Sequence, residues 1–191
     1  MILMENKIRA EGKVLSGDVL KVGSFLNQQV DTVFVMKLAD DIKREFSNDK
    51  ITKVLTIEAS GITLAFAAAY KMNVPMVFAK KGTTSNQSSD VYSAEVFSYT
   101  HNDHYVATVA KEYLSKDDVV LIVDDVLARG EAMRALINIV EQSCAKVAGC
   151  CSAFEKTFQN GGDELRSKGY HVYSLAYIES MSPESGVKFR P

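Results

Sequence analysis

Hydrophobic positions along this chain follow two rhythms that take turns. Short apolar runs rich in β-branched residues read as strands: "KVLTIEAS" (Lys53–Ser60), "VPMVFAK" (Val74–Lys80), "DVVLIVDDV" (Asp118–Val126), "AKVAGCCSAFE" (Ala145–Glu155) and "HVYSLAYI" (His171–Ile178). Segments with helical spacing stand between them, "GITLAFAAAYKM", "GEAMRALINIVEQS" and the short "GGDELRSKG". Alternation at this spacing predicts βαβ crossovers and an α/β fold with a mainly parallel, doubly wound sheet flanked by helices. Two stretches break the rhythm. "KGTTSNQSSD" (Lys81–Asp90) is polar and made of small residues, and the alternating "VYSAEVFSYT" follows it. That predicts a mobile lid loop over 81–90 leading into an antiparallel strand. The segment "LSGDVLKVGSFLNQQVD" (Leu15–Asp31) lies outside the alternation and predicts a small N-terminal cap, or hood, within residues 1–35.

Length and composition narrow the class. A chain of 191 residues without a Pro/Gly-rich linker is expected to form a single domain over 1–191. Its 22 basic and 24 acidic residues nearly cancel, which gives no electrostatic case for a nucleic-acid or membrane-surface partner. The apolar start of "MILMENKIRAEG", before Glu5, is too short for a signal-peptide core, and no apolar run reaches membrane-spanning length. Cys144, Cys150 and Cys151 are odd in number and lack framework spacing, so they read as reduced thiols. The expectation is a cytoplasmic protein.

The candidate chemistry lies where the run "VVLIV" ends in Asp124 and Asp125. Ligands of open α/β sheets bind beyond the carboxyl ends of the strands. The loop "LARGEA" then leads into a helix, whose first N–H groups form an anion cradle. Two carboxylates before such a cradle suit a ligand with hydroxyls, or a hydrated metal, together with a phosphate; ribose 5-phosphate has those parts. A plain polar strand terminus with a turn glycine is the alternative that the residues leave open. The phosphate motifs GxxxxGK[ST] and GxGxxG are both absent.

"VLIVDDVLARGEA" resembles the phosphoribosyl-diphosphate (PRPP) motif of the type I phosphoribosyltransferases. Nearly the whole chain shares in the resemblance, through "LKVGSFLNQQVD", "TIEASGI", "VFAKK" and "FEKTFQNGGDEL", which are similar to the bacterial xanthine-using branch, with the adenine-using branch nearest to it. The resemblance implies the type I phosphoribosyltransferase fold, PRPP and xanthine as substrates, Mg²⁺ bound with PRPP or pyrophosphate, no metal held by the protein alone, and a homodimer. It assigns Asp124 and Asp125 to the ribose hydroxyls as catalytic residues, and Ala128, Arg129, Gly130, Glu131 and Ala132 to the 5-phosphate. Ala59, Ser60, Gly61 and Lys81, with Lys80 beside it, fall at the pyrophosphate site. Leu20, Asn27 and Lys156 fall at the base site, where a lysine, having donors and no acceptor, complements a carbonyl-bearing purine edge. Arg129 and Glu131 depart from the small or neutral residues of many relatives, and Glu131 must point away from a phosphate dianion. Phe154 and Phe158 are candidate aromatic faces that core packing explains equally, and His101 and His104, in polar "THNDHY", read as solvent-exposed. Other purine phosphoribosyltransferases, a PRPP-sensing regulator and a nucleotide-binding module remain alternatives.

Overall fold

The strand that ends in the acidic pair lies in the interior of the sheet, and its side chains explain why. In the computed structural model, which describes residues 2–82, 90–98 and 103–190, every residue from Val120 to Asp125 is buried. Val120 and Ile122 join one hydrophobic cluster while Leu121 and Val123 join another, as the two-residue period of a strand requires when both faces are covered.

The chain opens with helix α1 (Ile2–Glu11), a hairpin of β1 (Lys13–Leu15) and β2 (Val19–Lys21), a π-helical turn at Gly23–Asn27, and helix α2 (Thr32–Glu45). Then follow β3 (Lys53–Ile57), α3 (Ile62–Met72), β4 (Met76–Lys81), β5 (Val91–Ser98), β6 (Asp103–Ala110), β7 (Val119–Leu127) and α4 (Glu131–Gln142). The C-terminal part holds β8 (Lys146–Lys156), α5 (Gly161–Ser167), β9 (Val172–Ser174), β10 (Tyr177–Ser182) and β11 (Gly186–Phe189).

The main sheet runs β11-β10-β8-β7-β3-β4-β6-β5, with β9 paired to β8. Pairs among β10, β8, β7, β3 and β4 are parallel, whereas β11, β6 and β5 add antiparallel edges. This is the expected doubly wound α/β sheet. On one face, α4 buries Met133, Leu136, Ile137 and Val140, a helical stripe of period 3.6. The alanine-rich α3 packs between α2 and the other face, where small side chains allow close approach. Asp31 caps α2 by accepting the Phe34 N–H at 3.0 Å, and it also takes Lys7 of α1 at 2.9 Å, which ties the N-terminal elements together.

Two expectations change. The run His171–Ile178 is two strands, β9 and β10, separated at Leu175–Ala176, whose backbone groups bond Ser152 and Glu155 of β8. The polar stretch before Val119 conceals β6, which pairs along its whole length with β5. Most of the expected lid, residues 83–89, lies outside the described residues, and so does His101. His104 stands on β6 with its ring 4.8 Å from that of Phe97. Among the described residues no helix is long and apolar enough to cross a membrane.

Candidate active site

Asp124 and Asp125 occupy the carboxyl-terminal part of β7 and are 5% and 8% exposed. An Asp124 carboxylate oxygen accepts the N–H of Asp125 at 2.9 Å. Asp125 draws in two other segments: the Ser60 hydroxyl donates to its Oδ1 at 3.0 Å, and the Asn27 amide donates to its Oδ2 at 3.2 Å. The hood, the β3–α3 loop and β7 therefore meet at one carboxylate. Burial, and next the negative charge of Asp125, push the Asp124 carboxyl well above its ordinary range, against the pull of the Asp125 N–H and of Lys81. Gly61 is needed for this approach. A Cβ at that position would overlap the Thr56 hydroxyl and stand 2.7 Å from Asp124 Oδ1. The Thr56 hydroxyl itself is buried without a hydrogen-bond partner among the described residues.

The loop Ala128–Ala132 follows directly. Gly130 takes φ +84° as N-cap of α4, a left-handed conformation that suits glycine. The loop's carbonyls are held from behind: Ala128 O accepts Gly161 N at 3.2 Å, Arg129 O accepts Arg134 Nη2 at 2.8 Å, and Gly130 O accepts Arg134 N at 2.9 Å. Gly161 sits so close that a Cβ there would overlap Ala128 O and stand 2.6 Å from Gly130 N. Glu131 is engaged by Arg134 at 2.6 Å, so its charge is matched within the protein.

Ala59 is exposed and Ser60 half-buried on the β3–α3 loop, beside a cis peptide between Glu58 and Ala59. Glu58 accepts the Lys81 N–H at 2.7 Å, which joins that loop to the end of β4. The Lys81 ammonium lies 4.9 Å from the Tyr105 ring centre. Burial and the nearby Asp124 push the Tyr105 hydroxyl up to about 12. Lys80 is exposed, and its carbonyl accepts the Thr108 hydroxyl at 3.5 Å.

A cleft of about 640 Å³ is bordered by Ser60, Asp125, the loop 128–132 and Lys156, whereas Asp124, Ala59, Gly61, Lys80 and Lys81 do not border it. Lys156 donates to the Asp18 carbonyl at the β1–β2 turn at 2.8 Å. Burial lowers the pKa of its ammonium, while Asp18 and Asp125 oppose the shift. Leu20 is 8% exposed and packs into the core beneath the hood. Asn27 reaches Asp125 but does not border the cleft. Phe154 is a core residue and Phe158 is partly exposed, and neither borders the cleft. Its aromatic wall is Phe97 and Tyr105, from the β5–β6 hairpin. Sequence reasoning missed this pair because β6 was hidden. It also missed Asp18 and Gly161, although the Gly161-Gly162 doublet before a short helix was a signal of close packing.

The chain matches the model of the phosphoribosyl transferase domain over residues 25–184. A xanthine phosphoribosyltransferase of Heliobacterium modesticaldum is 47% identical over 94% of this chain and 95% of its own length. One from Lactobacillus gasseri is 49% identical over 94% of both chains. Among solved structures, the Giardia lamblia adenine phosphoribosyltransferase complexed with 9-deazaadenine superposes with a TM-score of 0.77 at 21% identity, covering 93% of this chain and 98% of that one. The last likeness speaks for the fold alone. With the domain model spanning most of its length and relatives near half identity end to end, the chain belongs to the phosphoribosyl transferase domain family.

Proposed function

We propose that the protein transfers the 5-phosphoribosyl group of PRPP to xanthine, giving xanthosine 5′-monophosphate and pyrophosphate. The observation that carries this reading is the placement of Asp125, the loop 128–132 and Lys156 around one cleft. It is joined by near-half identity to curated relatives named xanthine phosphoribosyltransferase. The loop 128–132 receives the 5-phosphate on backbone N–H groups at the start of α4. Asp124 and Asp125 hold the ribose hydroxyls, and Ser60 and Asn27 fix the orientation of Asp125. The β3–α3 loop with Lys81 receives the departing pyrophosphate. Lys156 gives up its bond to the Asp18 carbonyl and donates to a carbonyl oxygen of the base.

The work of the protein is alignment and charge stabilisation. Positioning of base against ribose is worth several kcal/mol in general, and donors aimed at the leaving pyrophosphate lower the barrier further. The residues also fit Mg²⁺. Such an ion takes one or two carboxylates from the protein and completes its shell with substrate oxygens and water. Asp124 and Asp125 provide that pair, and among the described residues no larger cluster of His, Cys, Asp or Glu gathers to hold a metal alone. When bound, Mg²⁺ would supply neutralisation of diphosphate charge.

The proposal includes a cytoplasmic homodimer joined near Val74–Lys81 and the lid loop 81–90, of which residues 83–89 lie outside the described residues. Phe66 and Tyr70 of α3 are 56% and 68% exposed there, and Phe78 of β4 is 39% exposed. Phe66 and Tyr70 line a surface depression with Val74, Pro75 and Met76. Sedimentation at assay concentration tests the assembly, since an active monomer would refute it. The test of function follows pyrophosphate release with PRPP, Mg²⁺ and each of xanthine, guanine, hypoxanthine and adenine. Xanthine should give the highest kcat/KM. Release with adenine alone would overturn the base assignment, and no release with any base would overturn the activity.

A further inference from the structure

We infer that Arg134 is a positioning residue that builds the anion cradle of the loop 128–132 and neutralises the carboxylate at its rim; this rests on the reading of that loop as the 5-phosphate site. In a trans peptide, C=O and N–H lie in one plane and point in opposite directions. A carbonyl tied back into the protein therefore aims the next residue's N–H outward. Arg134 ties the Arg129 carbonyl from behind at 2.8 Å, which turns the Gly130 N–H the other way. Its own backbone N–H takes the Gly130 carbonyl at 2.9 Å, which does the same for Glu131. Gly161 takes the Ala128 carbonyl at 3.2 Å. Three successive loop carbonyls thus face inward: the Arg134 guanidinium holds that of Arg129, the first backbone bond of α4 holds that of Gly130 and would survive loss of the side chain at 134, and Gly161 holds that of Ala128.

The same guanidinium settles the problem that Glu131 poses. A carboxylate in the first residue of α4 would repel a phosphate dianion at the helix N-terminus. Arg134 Nη2 engages Glu131 at 2.6 Å, and Nη1 engages Glu164 of α5 at 3.0 Å. Only a planar fork of donors meets a carbonyl and two carboxylates at once, and a lysine cannot reproduce that geometry. The side chain also lies against Gly130: a Cβ on that glycine would stand 3.0 Å from Arg134 Nη1. Larger residues at 130 and changes at 134 should therefore damage one and the same arrangement.

The test measures ribose 5-phosphate binding by calorimetry, together with KM for PRPP and for xanthine, on the wild type, Arg134→Ala, Arg134→Lys and Arg134→Ala/Glu131→Gln. Loss of a charge-assisted bond predicts about 10–100-fold weaker ribose 5-phosphate binding and a matching rise in KM for PRPP in Arg134→Ala. KM for xanthine should change less than about threefold, since that site is built from other segments. Removing the unpaired carboxylate in the double variant should restore part of the loss, and Arg134→Lys should fall between the wild type and Arg134→Ala. Equal loss for both substrates, or a double variant no better than the single one, would overturn the inference. Wild-type protein that fails to bind ribose 5-phosphate would instead overturn the phosphate reading of the loop, and this inference with it.

Discussion

At the amino end of β7, Asp118 accepts the N–H and hydroxyl of Ser115 at 2.8 and 3.2 Å, the Thr52 hydroxyl at 2.9 Å and the Lys53 ammonium at 2.9 Å. At the carboxyl end, Asp124 accepts one backbone N–H and faces the charge of Asp125 at close range. The ionisation of the two follows these surroundings. Burial alone would raise the Asp118 carboxyl, but the Ser115 N–H, Lys53 and Thr52 outweigh it and hold the carboxyl below its ordinary value. Burial and the neighbouring acid drive Asp124 the other way. One strand thus carries a well-satisfied acid that ties the sheet together and, at its other end, Asp124, a buried carboxyl that accepts one N–H and faces a second acid. A buried carboxyl that the protein satisfies so poorly marks where stability is given up for function.

The largest effect is expected on turnover. Changing Asp124 and Asp125 together to Asn should reduce turnover by more than about 10³-fold, a loss of the size seen when interactions that stabilise a transition state are removed. The thermal midpoint should not fall, because a poorly compensated buried charge has been removed. Near wild-type turnover, or a collapsed midpoint, would remove the contrast between the two ends. Next in size is Lys156→Ala, at the carboxyl end of neighbouring β8. It should depress kcat/KM for xanthine on the order of 10²-fold while PRPP binding changes little. Unchanged xanthine turnover would place the base elsewhere, and equal losses in both substrates would point to misfolding.

At the amino end the effect should be on stability alone. Asp118→Ala strands the partly buried Lys53 and three other donors, which costs about 2–3 kcal/mol and lowers the midpoint by roughly 4–12 °C. Activity per folded molecule should stay at the wild-type level, and a specific loss of kcat would show that the amino end is not merely structural. The smallest effect lies in acid. A depressed carboxyl contributes stability above its ordinary pKa, 3.8, and loses it as pH falls through the lower folded value. The gap in midpoint between wild type and Asp118→Asn should accordingly be widest near pH 7 and narrow below about pH 4. A gap independent of pH would mean that ionisation of Asp118 contributes nothing.

The sequence made the carboxyl end legible because buried parallel strands are continuous apolar runs, and "VVLIV" before two acids cannot be a half-exposed strand. The stripe Met133, Leu136, Ile137, Val140 was equally clear, since a helix against a sheet needs that period. The breaks were harder to see. Leu175 and Ala176 are fully buried, so the apolar run continues through the point where β9 stops and β10 starts. In β6, "DHYVATVA" opens on polar residues, and its partner is known only once β5 lies beside it. Phe97 and Tyr105 could not be assigned to the cleft without that hairpin. Arg134 and Glu131 stand at a spacing that predicts an ion pair on α4. Nothing local reveals that the same guanidinium reaches back to the Arg129 carbonyl. Composition and periodicity report burial, whereas such contacts depend on how distant segments dock.

Gly161, which seals the back of the loop 128–132, has a consequence for the order of biosynthesis. At the usual pace of translation, roughly 5–20 residues per second, it leaves the ribosome seconds after that loop does. Until then the Ala128 carbonyl has no Gly161 N–H to meet, and of the two groups that lie against Gly130 only Arg134 is present. A growing chain can therefore carry the acidic pair and the complete loop sequence and still lack the formed loop that we propose as the phosphate site. Competence to capture substrate arrives late in synthesis, together with the short helix α5, and nascent chains should not sequester PRPP before they have nearly finished folding.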